Sequence, residues 1–217
     1  RRSNGIPIQY ILDEAWFYGY SFHVYKNDSI KTLIPRNETE FIVEKFIEYS
    51  KTKSKNISVI DIGTGSCCIP ISIILNSSNI DSFDAIDPHT FEIAKKNISS
   101  YKLEERINLY DIGIEEILGT LDKKYDIITA NLPYISEDKK IRELNFEPNE
   151  ALYAKDDGLH YIKILIDILP AIIKKNGIAI IEIDPKHTDY LNDLKNLKVS
   201  IYRDLNNLNR IAEIKLR

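Results

Sequence analysis

The chain has 217 residues, a formal net charge of −4, 43% hydrophobic and 29% charged residues. This balance is that of a folded globular chain and excludes collagen-like, disordered and membrane-spanning classes, while the length suits one large domain or one with a small appendage. The mild acidity advertises no broad nucleic-acid footprint, and the two cysteines, Cys67 and Cys68, are adjacent, which suits neither a disulfide framework nor a zinc site.

No apolar run reaches the length of a membrane span and the first residues lack the apolar segment of a signal peptide, so a cytoplasmic or organellar-matrix protein without a membrane partner is expected. The chain contains no Met, which leads us to expect further chain ahead of Arg1. Aromatic residues alternate through Trp16, Tyr18, Tyr20, Phe22 and Val24 around Gly19, a pattern that predicts a short hairpin. A polar connector over 25–31 leads to Leu33-Ile34-Pro35-Arg36, and Phe41, Ile42, Phe46 and Tyr49 then recur near helical spacing. We assign 1–35 to a hairpin and linker and 36–217 to the main domain.

From Ile57 short apolar strands alternate with longer amphipathic segments, the signature of β-α-β units on a parallel sheet. Strands are predicted over 58–62, 82–86, 107–110, 126–130 and 178–183, and helices over 68–75, 90–101, 114–121 and 158–175, the last interrupted at Pro170 and stopped by Gly177. The segments 198–202 and 210–216 flank an Asn-rich turn and read as a closing antiparallel hairpin. The fold class expected is α/β, with a doubly covered, Rossmann-like sheet.

Two constellations carry chemistry. The first, Asp61-Ile62-Gly63-Thr64-Gly65-Ser66-Cys67, ends the first core strand just before an apolar helix. Glycines there allow a tight turn and close backbone approach, and the helix N-terminus presents unpaired amides, which suits a nucleotide-type cofactor. Asp87, at the next strand end, stands at the distance where a carboxylate meets ribose hydroxyls. Cys67 occupies the third glycine position, where a dinucleotide needs close helix packing beside a pyrophosphate. The spacing therefore favours S-adenosylmethionine over NAD.

The second constellation is Asn131-Leu132-Pro133-Tyr134, directly after the strand over 126–130 and so on the same carboxyl edge of the sheet. An Asn side-chain oxygen and the following carbonyl can accept both hydrogens of one NH2 group and turn its nitrogen towards an incoming methyl. An adenine amino group or a carboxamide would satisfy the same two acceptors, with Tyr134 as a flat wall.

Taken together and in order, Pro7-Ile8-Gln9-Tyr10-Ile11, Phe17-Tyr18-Gly19, Leu33-Ile34-Pro35-Arg36-Asn37-Glu38-Thr39-Glu40, the glycine loop, the Asn131 motif, Phe146-Glu147-Pro148, Ala151-Leu152, Asp157-Gly158-Leu159 and Ile181-Glu182-Ile183 resemble the catalytic domain of the release-factor glutamine N5-methyltransferases. The resemblance runs from about Pro7 to the C-terminus. It implies a seven-stranded class I methyltransferase sheet preceded by a β-hairpin, whose family partner is a helical N-terminal domain. It also implies S-adenosylmethionine as cofactor, with Gly63, Thr64, Gly65, Ser66 and Cys67 on its methionine side, Asp61 nearby, Asp87 at the ribose, and Asp111 with Ile112 at the adenine. Asn131 to Tyr134 would hold the glutamine, with Leu33, Ile34, Arg36 and Thr39 lining the substrate side. The implied reaction is methylation of the glutamine in the Gly-Gly-Gln loop of a peptide chain release factor, in translation termination, by a monomer that binds no nucleic acid stably. RNA adenine N6-methylation and a non-catalytic S-adenosylmethionine-binding module are the competing readings.

The chain departs from the family pattern at Leu132, usually proline, and at Cys67, Asn37, Asp184 and Asn206-Asn207. His23, His89, His160 and His187 show no metal-ligand spacing and read as surface or satisfied polar residues, and no metal is expected. Glu38 and Glu40 suit either the pocket or a first helical turn.

Overall fold

A computed structural model describes residues 5–53, 56–139 and 141–217. The chain opens with a one-turn helix α1 (Ile8–Leu12) and the predicted hairpin, β1 (Ala15–Phe17) paired with β2 (Tyr20–Phe22). Tyr18 and Gly19 both take positive φ, 51° and 80°, the turn geometry whose twist matches a two-residue hairpin loop. The connector is a second small hairpin, β3 (Tyr25–Asn27) with β4 (Ile30–Lys31). Its signal was polar side-chain chemistry, since the Asn27 side-chain oxygen accepts from the Ser29 and Ile30 amides.

Helix α2 (Glu40–Ser50) then leads into alternating strands and helices: β5 (Ile57–Ile62), α3 (Cys68–Asn76), β6 (Ile80–Ile86), α4 (Phe91–Ser100), β7 (Ile107–Tyr110), α5 (Ile117–Thr120) and β8 (Tyr125–Ala130). Two short strands that periodicity did not reveal, β9 (Ile135–Ser136) and β10 (Tyr153–Ala154), pair beside the sheet. The chain finishes with α6 (His160–Ile172), β11 (Ile173–Glu182), α7 (Thr188–Asn192), β12 (Leu197–Arg203) and β13 (Asn209–Leu216).

The predicted long helix is corrected at its end. It tolerates Pro170 and stops at Ile172, and Gly177 is not its cap. Gly177 lies within β11, where a Cβ would come within 2.6 Å of the Ile173 side chain and 3.0 Å of the Tyr125 and Asp126 carbonyls, so glycine is required there by close strand approach.

The seven-stranded sheet has the order β12-β13-β11-β8-β5-β6-β7, parallel except that β13 runs against both neighbours. Neighbouring residues in each strand enter opposite cores: Val59, Ile127, Ile178 and Ile180 pack under α2, α3 and α4, while Ile60, Ile128, Ala179 and Ile181 pack under α5, α6 and α7. Burial on both faces is why these strands read as unbroken apolar runs. Phe17 and Phe22 of the first hairpin join the first of these cores. From β5 the chain winds out to β6 and β7 and then crosses back to β8, so the β5/β8 edge is the point where strand order reverses and where open sheets form a ligand crevice. Among the described residues no helix is long and apolar enough to cross a membrane.

Candidate functional site

One pocket opens at that reversal point. Its walls include Gly63, Thr64, Gly65, Ser66, Asp87, Ile112, Asn131, Leu132 and Pro133, with Leu33, Arg36 and Thr39 closing the other side. Both motifs found in the sequence therefore face one space.

The glycine loop takes its shape from its own backbone. Gly63 and Gly65 adopt φ of 72° and 56°, and a Cβ on Gly63 would press on Leu132 at 3.3 Å, whereas the Cβ position of Gly65 looks onto open space. Asp87 ties the loop down: Oδ2 accepts from the Gly65 amide at 3.0 Å and Oδ1 from the His89 and Thr90 amides. The Thr90 hydroxyl donates back to the Gly65 carbonyl at 2.8 Å. Buried Asn97 of α4 donates to the Ser66 and His23 carbonyls, fixing the first hairpin and the glycine loop to one side chain.

The Asn131 loop is held from elsewhere in the chain. Asn131 Nδ2 donates to the Thr39 hydroxyl at 3.0 Å, Thr39 donates to Glu182 Oε2 at 2.6 Å, and the Tyr134 hydroxyl donates to Glu182 Oε1 at 2.9 Å. Glu182 ends β11 and is 2% exposed. Burial raises its pKa above the ordinary carboxylate value, against the Thr39 and Tyr134 hydrogen bonds and the nearby Arg210, while Glu38 adds to the rise. Among the described residues nothing donates to Asn131 Oδ1.

Behind Tyr134 the chain makes three successive positive-φ residues, Asp156, Asp157 and Gly158, and a Cβ on Gly158 would lie 2.0 Å from the Tyr134 carbonyl oxygen. The remaining wall is stitched by Glu147, which accepts from Arg36 Nη2 at 2.5 Å and from the Ile34 amide at 3.0 Å. This brings the Leu33-to-Arg36 and Phe146-to-Pro148 segments together.

Five of the predicted site residues stand outside the pocket lining. Cys67 takes φ of 65°, which turns its side chain into the core, and its neighbour Cys68 lines the pocket instead. Asp61 is wholly buried beneath the loop, accepts from the Thr129 hydroxyl at 2.6 Å, and is pushed up to about 7, chiefly by burial. Asp111 points to solvent just past β7, leaving Ile112 and Gly113 in the wall. Ile34 is packed with Tyr10, Ala15 and Val24, leaving Leu33 to face the pocket. Tyr134 supports Asn131 from behind, through Glu182. Glu40 accepts from the Tyr18 amide and stands outside the lining.

Sequence reasoning gave no role to His89, Thr90, Glu115 or Tyr161, all in the lining. Thr90 alone carried a signal, as a Thr placed just before an amphipathic helix. Among the described residues no group of three or more His, Cys, Asp or Glu side chains is arranged to hold a metal ion.

The fold is that of the class I S-adenosylmethionine-dependent methyltransferases. A ribosomal protein L11 methylase from Lactobacillus delbrueckii subsp. bulgaricus superposes with a TM-score of 0.58 at 18% identity, over 89% of this chain and 85% of that one. The family model described as ribosomal protein L11 methyltransferase (PrmA) matches residues 39–134, from Thr39 to the end of the Asn131 motif. The release factor glutamine methyltransferase of Flavobacterium psychrophilum is 36% identical over 97% of this chain and 76% of its own length, and the chain belongs to that family. A bifunctional methyltransferase of Rickettsia bellii is 32% identical across the whole chain, which spans 44% of that relative's length.

Proposed function

We propose that this chain transfers a methyl group from S-adenosylmethionine to the side-chain amide nitrogen of a glutamine, in the Gly-Gly-Gln loop of a peptide chain release factor. The observation that carries the reading is Asn131: Thr39 occupies its Nδ2, so that Oδ1 remains to accept from a substrate NH2 beside the Leu132 carbonyl.

The pocket fits the cofactor. The loop leaves open space at Gly65, the Asp87 carboxylate stands beside it, and the apolar Ile112 flanks the far end. In this arrangement Gly63 to Ser66 would hold the methionine portion, Asp87 the ribose hydroxyls and Ile112 with Gly113 the adenine. When bound, S-adenosylmethionine supplies an electrophilic sulfonium methyl.

An amide nitrogen is a weak nucleophile because its lone pair is delocalised into the carbonyl. Asn131 Oδ1 and the Leu132 carbonyl would accept its two hydrogens, weaken that delocalisation and turn the lone pair towards the glycine-loop side of the pocket. Held by these two acceptors, the substrate nitrogen would take up the methyl group and then release a proton to water. Leu132 does this through its backbone carbonyl, so the missing proline changes the rigidity of the turn and leaves the acceptor in place. Pro133 and Leu33 would wall the glutamine side chain, and Arg36, held by Glu147, would border the entrance.

Methyl transfer to a purified release factor, with the same factor carrying a changed Gly-Gly-Gln glutamine as control, tests the reading. Asn131→Ala is expected to lower kcat by about 10²-fold or more while S-adenosylmethionine binding, measured by calorimetry, stays near wild type. Equal loss of both would overturn the division of roles, and label appearing on rRNA instead would overturn the substrate.

A further inference from the structure

We propose that Glu182 is a positioning residue that, through Thr39, fixes which end of the Asn131 side-chain amide faces the methyl acceptor. The inference rests on the methyltransferase reading above and adds to it the reason that Asn131 presents an oxygen.

An Asn amide is nearly symmetric in shape, and its two orientations offer opposite chemistry: an acceptor in one, a donor in the other. Only the acceptor suits an NH2 substrate. Thr39 decides between them because a hydroxyl has one proton. That proton is committed to Glu182 Oε2 at 2.6 Å, since an ionised carboxylate can only accept. The Thr39 oxygen can then only accept from Asn131, which puts Nδ2 against Thr39 at 3.0 Å and turns Oδ1 away. Tyr134 gives its own hydroxyl proton to Glu182 Oε1, so both carboxylate oxygens are engaged by donors from the two sides of the pocket.

The relay depends on Glu182 staying ionised. The groups facing it are Thr39 and Glu38 from the turn ahead of α2, Tyr134 from the Asn131 loop, and Arg210 from β13. The hydroxyls and Arg210 favour the charged form; burial and Glu38 disfavour it, and burial is the largest influence. Once protonated, Glu182 can donate to Thr39, the Thr39 proton then points at Asn131, and the amide turns its NH2 towards the acceptor. Methyl transfer is therefore expected to fall on acidification, at a pH above that of an ordinary glutamate.

The test uses the full chain labelled with nitrogen-15. The Asn131 side-chain NH2 signals are identified by their loss in Asn131→Ala and followed against pH in the wild type, Thr39→Val, Thr39→Ser and Glu182→Gln. The expected result is a titration in the wild type that Thr39→Val and Glu182→Gln abolish and Thr39→Ser restores. In parallel, Thr39→Val should lower kcat for methyl transfer by about 10²-fold with cofactor binding retained, and should add no further loss on the Asn131→Ala background.

Asn131 signals that titrate alike in wild type and Glu182→Gln, or losses that add on the Asn131→Ala background, would overturn the proposal. Should Thr39→Val fail to fold, Glu182→Gln still decides it. The NH2 titration needs no substrate, so a wild type that methylates no release factor would sink the functional reading and leave this inference decided on its own signal.

Discussion

The two loops that form the pocket leave adjacent strands, β5 and β8, yet they are held in opposite ways. The glycine loop is shaped by local backbone conformation, with three positive φ values in five residues and anchors at Asp87 and Thr90 at the next strand end. The Asn131 loop is shaped by groups far away in sequence: Thr39 lies 92 residues back and Glu182 lies 48 residues beyond Tyr134. The side that would hold the cofactor is thus built nearly by itself, while the side that would hold the acceptor exists only once the whole domain has closed around it.

Substitutions can break that contrast. The largest effect is expected at Gly158, which touches neither motif in sequence. Alanine there meets the Tyr134 carbonyl at 2.0 Å with φ of 88°, and should cost about 4 kcal/mol or more of stability in urea unfolding. In whatever fraction folds, methyl transfer should be lost before cofactor binding. A Gly158→Ala protein with wild-type stability would refute the account of the Tyr134 support.

An intermediate effect comes from beneath the glycine loop. Asp61 is raised from 3.8 to about 7. Below about pH 4 both folded and unfolded chains carry its proton; as pH rises towards 7 the unfolded chain releases it first, so this group's contribution to stability falls through that window and levels off above it. Asp61→Asn should remove a slope of about 1.4 kcal/mol per pH unit from the difference between the two proteins' stabilities. Urea midpoints measured across pH would check it, and parallel curves would contradict it.

The smallest effect is expected at Cys67. Cys67→Gly relieves a left-handed conformation worth about 1–2 kcal/mol but removes a wholly buried side chain worth about the same. A net change within about 1 kcal/mol in the same unfolding experiment would sharpen the view that this loop tolerates a cysteine where the family pattern has glycine.

This contrast also explains what the sequence made legible. The alternation of strands and helices, the hairpin at Tyr18-Gly19 and the closing β12–β13 pair were readable because each depends on periodicity or on turn residues acting within a few positions. The glycine loop was readable for the same reason. The end of α6 was not: Pro170 looked like a helix breaker and Gly177 like a cap, while contact with β8 decided both that the helix yields to a strand at Ile173 and that position 177 must be glycine. Asp111 and Ile34 were drawn towards the pocket by motif position, but their side-chain directions are set by how the neighbouring residues pack. Glu182 stood in a quoted motif without a role, because its partners Thr39 and Tyr134 are neighbours only in space.

The position of β13 bears on how the sheet is closed. β13 follows β12 in the chain yet is not at the edge of the sheet; it lies between β12 and β11 and pairs with β11 from Ala179 to Glu182. Without β13, β11 has an open flank carrying Ile178, Ile180 and Ile181, a template on which a second chain can pair. Deleting 209–216 should therefore yield aggregating rather than merely weakened protein.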